Sequence, residues 1–543
     1  MKNYTSSHAL FQVFADHGMD RVFLVPGESY LGLLDAVVDF PQIDVVTCRH
    51  EGGAGYMAVA DGRLTRRPGV ALVSRGPGAS NAAIAVHTAQ QDAVPMILVV
   101  GQIAARDLRR EAFQEIDYQK MFGSIAKWVF ECQTPDQLAD AAFKAIRMAT
   151  SGVPGPVVLV IPEDIQQQTV EKPAFKNHPQ ICGLPNDSVM SDITQRLARA
   201  NKPVVIAGGM FDRPGGREAL NAFAHHWNLP VLVSFRRHDI YDNADPLFVG
   251  DLGLSNPASQ MKTLAESDFI IALGTRLGDI TTQNYIFPQY AQTPQPFLHC
   301  YPDSRIVNFD TVADYPLVCD PVELVTVLTK ASAPASPTAR KEWIATLRQH
   351  AQTWAAWPNK EPKKGVNFTD VVRSVATQAS NETTVCLDAG TFAAPVYRHF
   401  GFKTGQRLMA PLAGAMGYGT PAALACAMRE PARKTVCMVG DGGFLMTGNE
   451  MILAVERQLP IVFIISNNGS YGSIRLHQER GYPGRVSGTS LFNPNFYEMA
   501  RSFGMEAVRI SSKDQIDQVI KTALAANKPV FIEVDSSLDA ILP

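Results

Sequence analysis

Short apolar runs alternate with segments of helical character along the whole chain. In the first third the runs are RVFLVPG, IDVVTCRHE, GVALVSRGPG, PMILVVGQ and PVVLVIP, and in the middle they are KPVVIAGGM, LPVLVSF, DFIIALGTR and RIVNFDT. In the last third they are TTVCLDAG, TVCMVGDG, PIVFIISNN and PVFIEVD. Such runs predict buried strands, and their alternation with helical patterns predicts parallel sheets covered by helices. We therefore expect an α/β fold.

Two stretches without this pattern divide the chain. Residues 166–185 are polar, and residues 331–338 read ASAPASPT. A chain of 543 residues at roughly 150 residues per domain suggests about three domains. We place them at 1–168, 186–330 and 362–543, each a doubly wound parallel sheet. The first and third blocks have comparable length and strand content, so each resembles one half of a duplicated architecture.

Composition narrows the class of protein. The net charge is -3 without a basic or acidic block, which argues against nucleic acid or a membrane surface as the main partner. No apolar run approaches the ~18 residues of a membrane span, and the first residues favour an amphipathic helix over a signal peptide. The eight cysteines are scattered without a CxxC pair. We expect reduced thiols in the cytoplasm, and neither disulfides nor a zinc site.

Two polar turns close neighbouring apolar runs in the last third. The run 435–439 predicts a strand that is followed by Gly440, Asp441, Gly442 and Gly443. The run 461–466 predicts a second strand that ends at Asn468, which lies 27 residues after Asp441. Residues 445–458 between them have helical character. Both side chains are then expected at carboxyl ends of parallel strands, where open α/β sheets hold ligands. Carboxylate and amide oxygens suit Mg²⁺, and the glycines let backbone amides approach an anion. The two turns together predict a metal–diphosphate site.

This pair of motifs resembles the GDG…NN signature of thiamine-diphosphate enzymes. The resemblance extends over nearly the whole chain to the acetolactate synthase and pyruvate decarboxylase group, and most closely to acetolactate synthase large subunits. It is carried by RHEGGAGYMAVADGR (49–63), SRGPGASNA (74–82), AFQEID (112–117), GVPGPVVLVIPEDI (152–165) and LAGAMGYGTPAAL (412–424). It implies a pyrimidine-binding, a central and a diphosphate-binding domain. It also implies thiamine diphosphate with Mg²⁺, the metal being held by Asp441, Asn468 and the backbone of Ser470.

The resemblance further implies roles for single residues. Glu51 would be the catalytic carboxyl group that exchanges a proton with N1′ of the cofactor's aminopyrimidine ring; alone, RHE would equally fit a solvated Glu at a helix start. Met416 would bend the cofactor into its V shape, although an ordinary core methionine is the competing interpretation. The Gly414 carbonyl would accept a hydrogen bond from the cofactor's 4′-amine. The remaining cofactor contacts are expected at Gly390, Thr391 and Gly472.

Departures from the family pattern concern the substrate. Glu28 stands where synthases tend to have Gly and pyruvate decarboxylases have Asp, so it would relay protons or else point to solvent. Arg75 would bind a substrate carboxylate by its planar fork or form an ion pair. Gln114 lies in a synthase-like segment where pyruvate decarboxylases carry a His pair. Ile474 and His477 follow the NN motif, where synthases usually have a Trp in an RQWQ stretch.

The expected reaction is decarboxylation of a 2-oxo acid with transfer of the acyl group to an acceptor. Plain decarboxylation, cleavage of another C–C bond, and a catalytically silent paralogue are the alternatives. FAD in the central domain stays open: Gly208-Gly209 at a strand end would suit a nucleotide, but the family's Asp-Asp-Arg reads Gly278-Asp279-Ile280. A homodimer or homotetramer with active sites at the dimer interface is expected, because in the family one cofactor spans two subunits.

Overall fold

Three six-stranded parallel sheets follow one another along the chain. The computed structural model describes residues 4–176, 182–333 and 337–542. Neighbouring strands in each of the three sheets are parallel, which confirms the predicted fold class. Counted within each domain, the first and third sheets share the strand order 2-1-3-4-6-5, whereas the central sheet has the order 3-2-1-4-5-6. The first and third domains, which were expected to resemble each other, therefore share the order of strands in their sheets.

The first sheet contains five predicted strands and one that the sequence pattern did not indicate, the half-buried edge strand β5. Its strands are β1 (Arg21–Leu24), β2 (Asp44–Thr47), β3 (Gly69–Val73), β4 (Met96–Gln102), β5 (Trp128–Glu131) and β6 (Pro156–Pro162). Its helices are α1 (Ser6–Asp16), α2 (Leu31–Val37), α3 (Glu51–Thr65), α4 (Pro77–Asp92), α5 (Tyr118–Phe122) and α6 (Gln137–Thr150).

The central domain differs most from the prediction. Its strands are β7 (Pro203–Ala207), β8 (Val231–Ser234), β9 (Phe248–Leu252), β10 (Phe269–Leu273), β12 (Phe297–Cys300) and β14 (Tyr315–Leu317), with a two-stranded sheet of β11 (Ala291–Gln292) and β13 (Thr311–Val312) beside them. Its helices are α7 (Asp187–Arg199), α8 (Gly216–Trp227), α9 (Ala258–Leu264), α10 (Pro321–Leu328) and α11 (Thr338–Ala355).

The run RIVNFDT, predicted as a strand, is a series of turns up to Asp310. Asn308 has a φ of 62°, which a strand does not allow. Val307 instead packs in a small apolar cluster with Met210 and Tyr301. The prediction was wrong because these apolar side chains cover a loop.

Helix α11 packs against the central sheet. The Arg340 guanidinium donates to the carbonyls of Ala200 and Trp227, and the Trp343 indole donates to the Pro203 carbonyl at 2.8 Å. The apolar core of the central domain therefore includes chain beyond residue 330.

The third sheet positions the Asp and Asn residues singled out above. Strands β17 and β18 pair in register from Thr435 with Ile461 to Gly440 with Ser466, so the turns that follow them are neighbours. The strands are β15 (Thr383–Leu387), β16 (Arg407–Met409), β17 (Lys434–Gly440), β18 (Ile461–Asn467), β19 (Glu506–Ile510) and β20 (Val530–Asp535). The helices are α12 (Phe368–Gln378), α13 (Ala394–His399), α14 (Gly419–Arg429), α15 (Asp441–Thr447), α16 (Ile452–Glu456), α17 (Gly472–Gly481), α18 (Phe496–Ser502) and α19 (Ile516–Ala525).

One apolar core joins the first and third domains. Helices α3 and α14 pack together, with the rings of Tyr56 and Tyr418 5.5 Å apart in an edge-to-face arrangement. At the end of this contact Arg429 donates to both Asp61 and Asp20.

Among the helices of the described ranges, none combines the length and the apolar character needed to cross a membrane. The eight cysteines are unpaired.

Candidate active site

Asp441 is the first residue of α15 and directly follows Gly440, the last residue of β17. Its side chain is only 2% exposed. One carboxylate oxygen accepts from the Gly442 amide at 3.0 Å, and the other accepts from the Gly469 amide at 2.8 Å and from the Asn493 side chain at 2.7 Å. Burial raises the pKa of Asp441, and these hydrogen bonds oppose the rise. A nearby divalent cation would favour the charged form.

The two asparagines after β18 have different partners. Asn467 donates to the buried Glu533 at 2.8 Å, so its side chain is turned into the fold. The Asn468 amide oxygen accepts from the backbone amide of Ser470 at 3.0 Å. The Ser470 carbonyl accepts from Gly472 at 2.8 Å, which leaves it a second lone pair. The carboxylate, the amide and the carbonyl thus lie on two neighbouring turns, after β17 and after β18, and form a donor set that suits Mg²⁺.

Asn493 belongs to this cluster, although no sequence motif marks it. Its side-chain nitrogen donates to Asp441 at 2.7 Å and to the oxygen of Asn467 at 2.9 Å. The orientations of the Asn467 and Asn493 side-chain amides are both determined by carboxylates. Asn493 donates to Asp441 and Asn467 donates to Glu533, and an ionised carboxylate only accepts hydrogen bonds. The Asn493 amide oxygen is consequently left buried without a hydrogen-bond partner among the described residues.

Asp388, at the end of β15, organises a second turn of the same edge. Its buried carboxylate accepts from the amides of Gly417 at 2.9 Å and Gly419 at 2.5 Å. A Cβ at Gly443 would lie 2.2 Å from an Asp388 oxygen, so only glycine allows this approach. Burial raises the pKa of Asp388 to about 6. Three turns that follow three different strands are thereby locked together.

The loop held by Asp388 carries Gly414 and Met416. Gly414 has a φ of 68°, a conformation that favours glycine. Met416 is half-buried and precedes α14, so it is not the core methionine of the competing interpretation. Its carbonyl accepts from the Tyr56 hydroxyl at 3.4 Å.

The expected diphosphate contacts surround the same edge. Gly390 and Thr391 follow β15, and the Thr391 amide donates to the Ser473 hydroxyl at 2.8 Å. Gly472 begins α17, where a Cβ would lie 3.0 Å from the Asn468 side-chain nitrogen. Ile474 on the same helix is 54% exposed.

Glu51 is the first residue of α3, at the carboxyl end of the first sheet. The preceding His50 caps the helix, because its ring accepts from the Gly52 amide at 3.0 Å. Glu51 is half-buried, and one of its carboxylate oxygens accepts from the Asn81 side chain at 2.9 Å. Burial and the charge of Glu51 raise the pKa of Tyr30.

The other candidates of the first domain share this edge. Glu28 begins a short 3-10 turn after β1 and is exposed. Arg75 follows β3 and forms an ion pair with Glu163 at 2.9 Å, within its own domain. Gln114 has a φ of 66°, and its backbone covers Gly76, where a Cβ would lie 2.9 Å from the carbonyl oxygen.

The edges that carry Glu51 and Asp441 are linked in the chain through Glu450. This residue follows α15, is 0% exposed, and accepts from the amides of Arg49 at 2.9 Å and His50 at 2.8 Å. No hydrogen bond or ion pair found within residues 4–176, 182–333 and 337–542 joins Glu51 to Asp441 directly. Within one chain Glu51 and Asp441 therefore belong to two separate groups of residues.

The carboxyl edge of the central sheet has little open space beside Gly209, the position considered above for FAD. The cavity beside Gly209 is about 80 Å³, whereas cofactor and ligand pockets span ~300–1,000 Å³. Arg237 fills this edge: its Nε lies 2.6 Å from the place of a Cβ at Gly209, and it donates to the Asp92 carbonyl at 3.2 Å. The Nε and Nη1 atoms of Arg237 are buried without a hydrogen-bond partner among the described residues.

Comparisons with known proteins agree with this layout. Family models of the thiamine pyrophosphate enzymes match the chain in three parts: the N-terminal TPP binding domain at residues 4–121, the central domain at 190–328 and the C-terminal TPP binding domain at 388–534. The chain is 27% identical to a probable acetolactate synthase large subunit of Methanocaldococcus jannaschii, over 97% of this chain and 91% of that protein. It is 28% identical to the acetolactate synthase large subunit of Haemophilus influenzae, over 98% of this chain and 95% of that protein.

Proposed function

The chain belongs to the thiamine pyrophosphate enzymes, in their acetolactate synthase-like group, and we propose that it decarboxylates a 2-oxo acid and transfers the acyl group to an acceptor. The observation that carries this proposal is the pair of half-sites. One presents a carboxyl group, Glu51, at a helix start, and the other presents Asp441 with amide and carbonyl oxygens at a strand end.

The residues at the second half-site would hold the diphosphate through Mg²⁺. Asp441, Asn468 and the Ser470 carbonyl supply hard oxygen ligands, and the unpartnered oxygen of Asn493 leaves an acceptor for a metal-bound water. When bound, thiamine diphosphate supplies the carbon nucleophile and the electron sink for decarboxylation. Asp388 holds the loop that carries Met416 against the cofactor.

Glu51 would move the proton that activates the cofactor. Its carboxyl group exchanges a proton at N1′ of the pyrimidine ring, and Asn81 keeps one carboxylate oxygen oriented by a hydrogen bond. General acid–base catalysis of this kind typically contributes ~10²- to 10⁴-fold in rate.

We propose that the active unit is at least a homodimer in which each site combines Glu51 of one chain with Asp441 of the other. Apolar side chains are exposed beside both half-sites in the single chain: Ile84 is 46% exposed, Leu445 45% and Met446 46%. Exposed apolar side chains grouped in this way are typical of a protein–protein interface. A two-fold dimer would cover both groups at once.

Plain decarboxylation is the second candidate. Glu28 lies at the same sheet edge as Glu51 and is exposed, so its carboxyl group is available to donate a proton in place of an acceptor substrate. Product analysis separates the two candidates, because transfer yields a longer acid and decarboxylation yields an aldehyde.

The test is turnover of a panel of 2-oxo acids by the purified protein with thiamine diphosphate and Mg²⁺, with products identified by mass spectrometry. We expect CO₂ release that requires both additions, and a carboligation product. Absence of turnover across the panel, with the cofactor shown to be bound, would contradict the proposal. We expect this activity without added FAD, since there is little open space beside Gly209; a requirement for flavin would refute that part alone.

A further inference from the structure

A second cavity lies between the central and C-terminal domains. Its volume is about 570 Å³, within the ~300–1,000 Å³ of small-molecule sites. Its wall combines side chains from β9 and its following turn, α11, α13 and α17. The residues that matter for its chemistry are His238, Asp251, Trp354, Thr391, Arg398 and Arg480.

The cavity has more positive than negative charge. Neither Arg398 nor Arg480 has a hydrogen-bond acceptor or an ion-pair partner among the described residues. The Arg398 guanidinium carbon lies 4.0 Å from the centre of the Trp354 ring, and this stacking leaves its N–H groups free. Asp251 is the acidic residue of the wall, and it lies 3.4 Å from the His238 ring. Two guanidinium groups thus face one carboxylate.

Two buried polar groups of this wall lack a full set of hydrogen bonds. His238 is 3% exposed; its Nε2 lies 3.4 Å from the Asp251 carboxylate as a loose ion pair, and its Nδ1 has no hydrogen-bond partner within the described part of the chain. The hydroxyl of Tyr397, whose ring centre lies 5.5 Å from that of His238, is likewise buried and unpartnered. Buried polar groups are nearly always hydrogen-bonded in native proteins, so these atoms point to a polar ligand.

The cavity begins at the candidate active site. Thr391 lines it and is bonded through its amide to Ser473 on α17. Arg480 lies seven residues after Ser473 and on the same face of that helix, which corresponds to about 10 Å along the axis. An anion held by Arg480 would therefore lie far from Thr391, and one cavity connects the two positions.

We propose that this distal cavity binds an anionic group at the end of a substrate remote from its reacting carbonyl. The substrate class is a 2-oxo acid or an acceptor that carries a second carboxylate, or a phosphate in its place. Arg398 and Arg480 pair with the anion, and His238 and Tyr397 complete its hydrogen bonds. The inference rests on the proposed function, because it takes the cofactor to lie beside Thr391.

The first measurement is binding to the protein loaded with thiamine diphosphate and Mg²⁺. Calorimetric titrations use glutarate as a dicarboxylate, inorganic phosphate, and butyrate as a monocarboxylate. We expect glutarate or phosphate to bind more tightly than butyrate. We also expect Arg398→Met and Arg480→Met each to weaken that binding by about tenfold to a hundredfold, the loss typical of a hydrogen-bonded charge.

A matched control is Arg373→Met. Arg373 also stacks on a tryptophan, with its guanidinium carbon 5.3 Å from the Trp357 ring centre, but it pairs with Asp370 and lies outside the cavity wall. It should leave every affinity unchanged. Arg480 is exposed, so its variant is expected to fold even where Arg398→Met does not.

The second measurement is the ratio of kcat/KM for 2-oxoglutarate to that for pyruvate. The ratio should fall by about tenfold or more in Arg480→Met, mainly through KM, while the rate with pyruvate is kept. Equal binding of glutarate, phosphate and butyrate, or unchanged affinities in both variants, would overturn the proposal. So would tight FAD binding that Arg480→Met abolishes. If no 2-oxo acid is turned over but glutarate still binds in an Arg480-dependent way, the proposed function fails and the distal cavity stands.

Discussion

Replacement of Glu450 by Gln is predicted to change the pH dependence of stability without removing a hydrogen-bond acceptor. Glu450 is 0% exposed, and its Oε1 accepts both backbone bonds while its Oε2 is buried and unpartnered. Gly53 allows this approach, since a Cβ there would lie 2.7 Å from Oε1. Glutamine keeps the shape and the accepting oxygen, and it cannot ionise.

The size of the effect follows from the pKa. Burial raises the pKa of Glu450 from 4.5 to about 7, against the smaller effects of its two hydrogen bonds and of Arg49. A raised pKa means that the folded state holds the proton more tightly than the unfolded state. The stabilisation is therefore complete below about pH 4.5 and is lost as the pH rises through about 7. A shift of roughly 2.5 units corresponds to about 3 kcal/mol per chain.

The assay is the urea denaturation midpoint of wild type and Glu450→Gln at several pH values from about 4 to 8.5, the range that spans the shift. The two proteins should be nearly equally stable at the acid end, and the variant should become the more stable one at the alkaline end. Glu382→Gln, which alters an exposed carboxyl group, should follow the wild type. A difference between wild type and Glu450→Gln that does not vary with pH would refute the reasoning.

Four further predictions concern the proposed catalytic centre. Glu51→Gln should keep cofactor binding in calorimetry but lose ~10²- to 10⁴-fold in turnover, and a near wild-type rate would contradict its role. Asp441→Ala should abolish Mg²⁺-dependent binding of thiamine diphosphate, and unchanged affinity would exclude the metal site. Asn493→Ala should weaken Mg²⁺ binding by about tenfold to a hundredfold, as loss of an outer-shell partner typically does, whereas equal Mg²⁺ titrations would show that it only packs. Mixing Glu51→Gln with Asp441→Ala chains under conditions of proven exchange should restore activity, to at most half per heterodimer, and no recovery would contradict shared sites.

Much of the third domain could be predicted because local signals and tertiary structure agree there. The apolar runs before Asp441 and Asn468 are central strands buried on both faces, and such strands are nearly continuous apolar sequence. The edge strands β5, β16 and β19 were not predicted, since an edge strand needs fewer apolar side chains. Asp388 could have been found by the rule applied to Asp441, because it too is a carboxylate directly after a buried strand.

Asn493 illustrates a limit of another kind. It lies 52 residues from Asp441 along the chain, in a segment without regular structure before α18. No spacing or periodicity marks such a residue, because only the folded backbone brings it to the carboxylate. The orientation of its side-chain amide is set by hydrogen bonds to Asp441 and Asn467, and neither contact can be read from the sequence.

The distal cavity extends this argument from one residue to a whole site. Arg398 and Arg480 lie on two helices of one domain, while His238 comes from the central domain, and neither arginine belongs to a motif that marks the cofactor site. From the sequence alone each is an arginine in a helix, and such a residue is expected to extend its charged group into solvent. The fold gives them a different meaning, because it places both arginines against one cavity whose acidic residue is Asp251. Sequence resemblance therefore identifies the chemistry common to the family, whereas the substrate is encoded in charges that only the assembled domains bring together.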